Sequence, residues 1–311
     1  MRGGDQNTRI LLSQLNKESL RSMSRVEALI FDLDNTLIWD ERSINESFQA
    51  TCLQAAAKVS VQTAALESAV RQSAKELFHE SEWFEWADSI ELTYLEALWG
   101  KFDGEAKQVN PSMHQWALAY QAEAWTRGLY SSGIDNPELG VQLARQFASE
   151  RRNRPHIYKD TFEVLNLLHS RIPMLLLTNG DSQLQREKID SIVGLADYFD
   201  HIIVSGEFGV GKPSPLIFEY AVKLLGISSG QCMMVGDTLG TDILGANRTG
   251  IPNIWINHSG KNAPIDNQPT FEVHNLESII PIIQPDLSYH NRINKIPRSS
   301  GVKVFGNRTN H

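Results

Sequence analysis

Four short stretches hold the residues whose types and spacing could do chemistry. DLDNT carries Asp32 and Asp34, and LLTNG ends on Thr178, Asn179 and Gly180. GKP carries Lys212, and GDTLGTD carries Asp237 and Asp242. Alternate residues of an extended chain point the same way, so Asp32 and Asp34 can face one pocket or can both cap the turn that follows. Thr178 and its neighbours offer a hydroxyl and loop N–H groups to an oxyanion, although Asn-Gly after a strand is also ordinary turn chemistry. Asp237 and Asp242 could be a turn acid and a helix N-terminal acid. Each stretch alone has a bland reading.

GEFGVGKPSP, residues 206–215, opens as G-x-x-x-x-G-K, the start of an ATP-gripping loop. That loop needs a Ser or Thr hydroxyl for Mg²⁺ after the lysine, and here Pro213 brings neither a hydroxyl nor an N–H. The match to an ATPase loop is therefore weak, Pro213 is expected to start a helix, and Lys212 is left as a solvated lysine or an anion ligand.

The elements decide between these readings. VEALIFDLD is an apolar run ending in acids, the form of a buried strand feeding a loop. From about residue 155 onward strands alternate with helices: TFEVLNLLHS, IPMLLLTNG, QREKIDSIVG, HIIVSG, PLIFEYAVKLLG, CMMVGD, TDILGANRTG and PNIWIN. That alternation predicts an α/β fold with a parallel sheet covered on both faces. Between them, ESFQATCLQAAAKV, ELTYLEALWGKF and MHQWALAYQAEAWTRGL have helical period with few strand signals, so residues 40–154 read as a helical insertion. The expected organisation is a polar extension over 1–24, an α/β core over 25–39 and 155–285, the insertion, and a basic tail over 286–311 expected to be disordered.

In open α/β sheets ligands collect beyond the carboxyl ends of the strands. The informative stretches all follow predicted strands, and they jointly supply a nucleophile-type acid, a hydroxyl with amides, a lysine and a second acid pair. Together they predict a phosphate and Mg²⁺ site, with Asp32 and Asp237 offering the hard oxygen donors that Mg²⁺ favours and Lys212 balancing the crowded negative charge.

Composition bounds the partners. The chain has 311 residues, 41% of them hydrophobic, which suffices for a sizeable core. A net charge of -8 argues against a nonspecific nucleic-acid binder. Cys52 and Cys232 lie far apart with no zinc-ligand spacing, so a reducing cytoplasm is expected. No apolar run approaches the roughly 18 residues needed to cross a bilayer, and a membrane partner is not expected.

In order, DLDNT, Thr178, Lys212 and GDTLGTD resemble the signature of the haloacid dehalogenase (HAD) superfamily, D-x-D-x-T, Ser or Thr, Lys, and G-D-x-x-x-x-D. The likeness covers about residues 26–38 and 155–258. LLTNGDSQLQREKID and MMVGDTLGTDILGANRTGI are most similar to the N-acylneuraminate-9-phosphatase and pyrimidine-nucleotidase group. The resemblance implies a Rossmann-like core with a helical cap after the first strand. It further implies that Asp32 attacks phosphorus and that Asp34 acts as acid and base. Mg²⁺ would be held by the Asp32 carboxylate, the Asp34 carbonyl and Asp237, with Asp242 beside the metal or Lys212. Thr178 and the Asn179 N–H would hold phosphate oxygens. The expected substrate is a small phosphomonoester, a sugar phosphate or a nucleotide. A phosphomutase of the same superfamily, or a noncatalytic scaffold binding phosphate or protein, is the alternative. A dehalogenase is disfavoured, because those relatives lack an acid at the position of Asp34.

Within the insertion, Trp83, Phe84 and Trp86 are read as filling its own core. RRNR at 151–154 is read as a solvated hinge, and His79, His114 and His156 show no ligand spacing.

Overall fold

The computed structural model describes residues 25–104 and 112–283. The extension 1–24 and the tail 286–311 lie outside the described residues.

Six parallel strands form the sheet: β1 (Ala28–Phe31), β2 (Met174–Thr178), β3 (His201–Val204), β4 (Cys232–Gly236), β5 (Asn253–Ile256) and β6 (Phe271–Val273). Their order is β3-β2-β1-β4-β5-β6, all neighbours parallel. β1 and β2 are buried at every position, as continuous apolar runs covered on both faces must be.

The two-residue period of a strand divides these side chains between two cores. Leu29, Phe31, Met174, Leu176, Met233 and Val235 belong to one. Ile30, Leu175, Leu177, Cys232 and Met234 belong to the other.

The helices run α1 (Asp40–Lys58), α2 (Thr63–His79), α3 (Phe84–Ser89), α4 (Tyr94–Ala97), α5 (Met113–Ser131), α6 (Pro137–Arg152), α7 (Thr161–His169), α8 (Ser182–Asp190), α9 (Ser205–Phe208), α10 (Pro215–Leu225), α11 (Leu244–Arg248) and α12 (Ile280–Ile283). α7 sets Val164, Leu165 and Leu168 on the first face of the sheet. α10 sets Ile217, Phe218 and Ala221 on the other.

The helices from α1 to α6 gather around a third core in which the rings of Phe48, Trp125 and Phe147 pack together, with Phe48 and Phe147 centred 4.4 Å apart. Gly128 permits that packing, because a Cβ there would stand 2.4 Å from Val70 Cγ2 on α2. Trp83, Phe84 and Trp86 pack partly buried against this same core, as expected.

Two connections join the helical layer to the sheet. Ile38 and Ile157 form an antiparallel bridge, and the Trp39 N–H donates to the His156 carbonyl at 2.9 Å. Outside them Trp39, Tyr158 and His258 stack, with ring centres 5.3 and 4.8 Å apart.

Several local expectations need correction. ELTYLEALWGKF holds only the short α4, because Thr93 and Glu96 form a capping box that starts a helix there, while Glu91 and Phe102 adopt positive φ. Pro213 does not start a helix: α10 begins at Pro215, and Pro213 follows a cis peptide from Lys212. TDILGANRTG begins as a π-helical turn over Leu239–Ile243 before the short α11. RRNR is not simply solvated. Arg151 is buried with its guanidinium 2.6 Å from Asp40 Oδ1, and Arg152 reaches Glu187 at 2.6 Å.

Candidate active site

β1 is central, with β2 on one side and β4 on the other, so the chain turns in opposite directions from its carboxyl end. Phe31 pairs in register with Leu176 and Val235, which puts Asp32 level with the ends of β2 and β4. The Asp32 N–H extends the ladder by donating to the Val235 carbonyl at 2.9 Å.

Lys212 lies at the centre of this ring. Its side chain is 2% exposed, and Nζ donates to Asp32 Oδ1 at 2.6 Å, Asp242 Oδ1 at 2.7 Å and the Leu177 carbonyl at 2.9 Å. These three acceptors use the three ammonium protons. Burial alone would lower the lysine's pKa, but Asp242 and Asp32 carry it above its ordinary value.

The Asn179 side chain fixes the backbone around that lysine. Its Oδ1 accepts from the Lys212 N–H and its Nδ2 donates to the Lys212 carbonyl, both at 2.9 Å. This side-chain role was not expected of Asn179, for which only a backbone N–H contact was foreseen.

Asp32, Asp237 and Asp242 each bring a carboxylate oxygen within 4.8 Å of the others. Burial, then the charges of Asp32 and Asp242, lift Asp237 well above the usual carboxylate range. Burial lifts Asp242 to about 6 against the opposing pull of Lys212. Crowded carboxylates of this kind are what a divalent cation relieves, and an all-oxygen donor set suits Mg²⁺. The residues present therefore fit such an ion. Gly236 allows the crowding, since a Cβ there would lie 2.3 Å from Asp242 Oδ2.

Thr178 adds a second fit. Its hydroxyl is buried and has no hydrogen-bond partner among the described residues, an arrangement that costs energy unless a ligand oxygen completes it. Beside Asp237 a bowl of about 1170 Å³ opens between Asn35, Trp39, Tyr158, Thr238 and His258.

The Asp34 side chain is placed differently. It does not join the acid cluster; its two oxygens lie 3.0 and 2.9 Å from Lys188 Nζ on α8, and Gln185 Nε2 donates to Oδ2 at 3.2 Å. Asp34, Asp40 and Glu96 share this buried region with the cations Lys188 and Arg151. Burial, opposed by Lys188 and reinforced by Asp40, Glu96 and Asp32, pushes Asp34 up to about 7. A carboxyl poised there can give a proton and take one back near neutral pH.

Lys188, Gln185 and Glu96 were missed by sequence reasoning. A signal existed: Gln185 and Lys188 sit three residues apart on one helix face, and Thr93–Glu96 has capping-box spacing.

A family model described as haloacid dehalogenase-like hydrolase matches residues 26–250. A phosphoserine phosphatase from Thermus thermophilus is 30% identical over 82% of this chain and 98% of its own length. The N-acylneuraminate-9-phosphatase of Rattus norvegicus is 33% identical over 79% of this chain and 88% of its own. Among solved structures, HAD-hydrolase YfnB from Bacillus subtilis superposes with a TM-score of 0.60 at 19% identity, covering 84% of this chain and 100% of that one. With the signature residues gathered at the carboxyl ends of one parallel sheet, the chain belongs to the haloacid dehalogenase-like hydrolases, as a phosphomonoester hydrolase of that superfamily.

Proposed function

We propose that this phosphatase is Mg²⁺-dependent, works through a phosphorylated Asp32, and hydrolyses a small metabolite such as a sugar phosphate or a nucleotide in the cytoplasm. One observation carries the reading: Asp32, Asp237 and Asp242 converge around the buried Lys212 ammonium, beside the partnerless Thr178 hydroxyl.

In this mechanism Asp32 Oδ attacks phosphorus and the bond to the ester oxygen breaks, while the Asp34 carboxyl passes its proton to that leaving oxygen. A water then attacks the aspartyl-phosphate, Asp34 takes the proton back, and inorganic phosphate leaves with Asp32 restored. Lys212, the Thr178 hydroxyl and the Asn179 N–H stabilise the charge on the phosphoryl oxygens, which is most of what phosphoryl transfer asks of a protein. The Asp32 and Asp237 carboxylates, with the Asp34 carbonyl, would hold Mg²⁺, and Asp242 stays with Lys212. Bound there, the ion would neutralise charge between nucleophile and phosphate. The segment 40–154 serves as a cap that excludes water and selects the leaving group.

The test is release of inorganic phosphate from a panel of phosphomonoesters, phosphoserine and N-acylneuraminate 9-phosphate among them, with Mg²⁺ and after chelation. Release that stops on chelation and returns with Mg²⁺ is expected. An isomeric phosphate ester as product would establish the mutase instead, and no release from any ester would leave the scaffold.

A further inference from the structure

The chemistry above uses Asp34 but not the side chains that hold it. Lys188 Nζ contacts both Asp34 oxygens and also lies 2.9 Å from Glu96 Oε1 and 4.0 Å from Asp40 Oδ1. The lysine side chain is 4% exposed. Gln185 Nε2, one turn earlier on α8, shares its protons among Asp34 Oδ2, Glu96 Oε1 and the Asn179 carbonyl, the last two at 2.8 and 2.6 Å. Two core donors thus bridge the same pair of carboxylates.

Those carboxylates belong to different layers. Asp34 follows β1 in the core, whereas Glu96 sits on α4 of the helical insertion. Glu96 is itself fixed, because its Oε2 accepts from the Thr93 N–H and hydroxyl, both at 3.0 Å. The insertion is seated on the core nearby: the Gly180 N–H and Ser205 hydroxyl donate to the Ile90 carbonyl, and the Gly211 N–H donates to the Ser89 carbonyl. Glu96 therefore reaches Lys188 through a docked surface.

We propose that Lys188 and Gln185 are positioning residues that set the plane of the Asp34 carboxylate, and that Glu96 makes this setting depend on the cap being seated. This rests on the acid and base role of Asp34. Contact with both Asp34 oxygens limits rotation about its terminal bond. The shared contacts with Glu96 stop Lys188 and Gln185 from following Asp34 elsewhere. Lifting the cap withdraws Glu96 and frees the donors, so the acid is in register only over an enclosed substrate.

The experiment compares an alkyl phosphate, whose leaving oxygen needs a proton, with 4-nitrophenyl phosphate, whose leaving group does not. Lys188→Met should lower kcat for the alkyl ester about 100-fold with KM within about three-fold. First-turnover release of 4-nitrophenolate should slow less than about five-fold, giving a burst of one product per site before slow turnover. Glu96→Gln should follow the same pattern with about a 10-fold loss.

If Lys188→Met does not fold, the double variant Lys188→Met, Glu96→Gln removes one charge of each sign and takes the same test, with the same pattern expected. Asp34→Asn is the reference. Should Asp34→Asn discriminate between the esters while the Lys188 variants lose both equally or lose nothing, the positioning role is overturned and the acid role stands. Should Asp34→Asn itself show no discrimination, the acid role fails and the positioning role goes with it.

Discussion

Two buried lysines lie close to the two acids of DLDNT, and they are built in opposite ways. Lys212 is held by Asp32, Asp242 and the Leu177 carbonyl, all at or just beyond the ends of core strands. Lys188 is held by Asp34 from the core and Glu96 from the helical insertion, with Asp40 4.0 Å away where that insertion begins. The first draws all three of its partners from the core layer. The second takes its carboxylates from two layers. Under the proposed function the first cluster would carry phosphate charge, and the second would align the acid over an enclosed substrate.

The largest effect is expected at Lys212. Lys212→Met leaves Asp32 and Asp242 buried against each other, and breaking a buried pair from one side costs about 3–5 kcal/mol. Urea unfolding should show that loss, and turnover of alkyl and aryl esters should fall together. A variant that stayed stable, or that spared the aryl ester, would make the two lysines alike.

A smaller effect sharpens the other side. Thr93→Ala removes a cap worth about 1 kcal/mol and takes away one of the donors to Glu96 Oε2, the hydroxyl. Thermal melting should register the cap, and kcat for an alkyl ester should fall more than first-turnover release of 4-nitrophenolate from 4-nitrophenyl phosphate. Equal losses would mean that Glu96 does not act through Asp34.

The same contrast decides what was legible in the sequence. Thr178 ends an apolar strand run, Asp32 and Asp237 follow one directly, and Asp242 lies in the turn just beyond; a parallel sheet aligns its strand ends, so linear position was enough to bring them together. Lys212 was legible too, although it lies beyond α9, because the loop before α10 returns to the same edge. The Lys188 cluster depends on which face α8 turns to Asp34 and on where α4 lands, both set by tertiary packing.

Arg151 shows the same limit: charge in RRNR reads as solvent-facing until Asp40, 111 residues away, is seen to accept from it. β6 also escaped, being only three residues of alternating burial at the edge of the sheet. The helical period of ELTYLEALWGKF was read too generously, since four of its residues suffice to close the capping box.

The most direct test of the account is to quench the protein in acid during turnover of a phosphomonoester with Mg²⁺ and locate the phosphoryl group by peptide mass. The account predicts a labile phosphate on Asp32, formed faster than turnover and absent from Asp32→Asn, which should lose activity by more than about three orders of magnitude. Phosphate on another side chain, or full activity in Asp32→Asn, would contradict it.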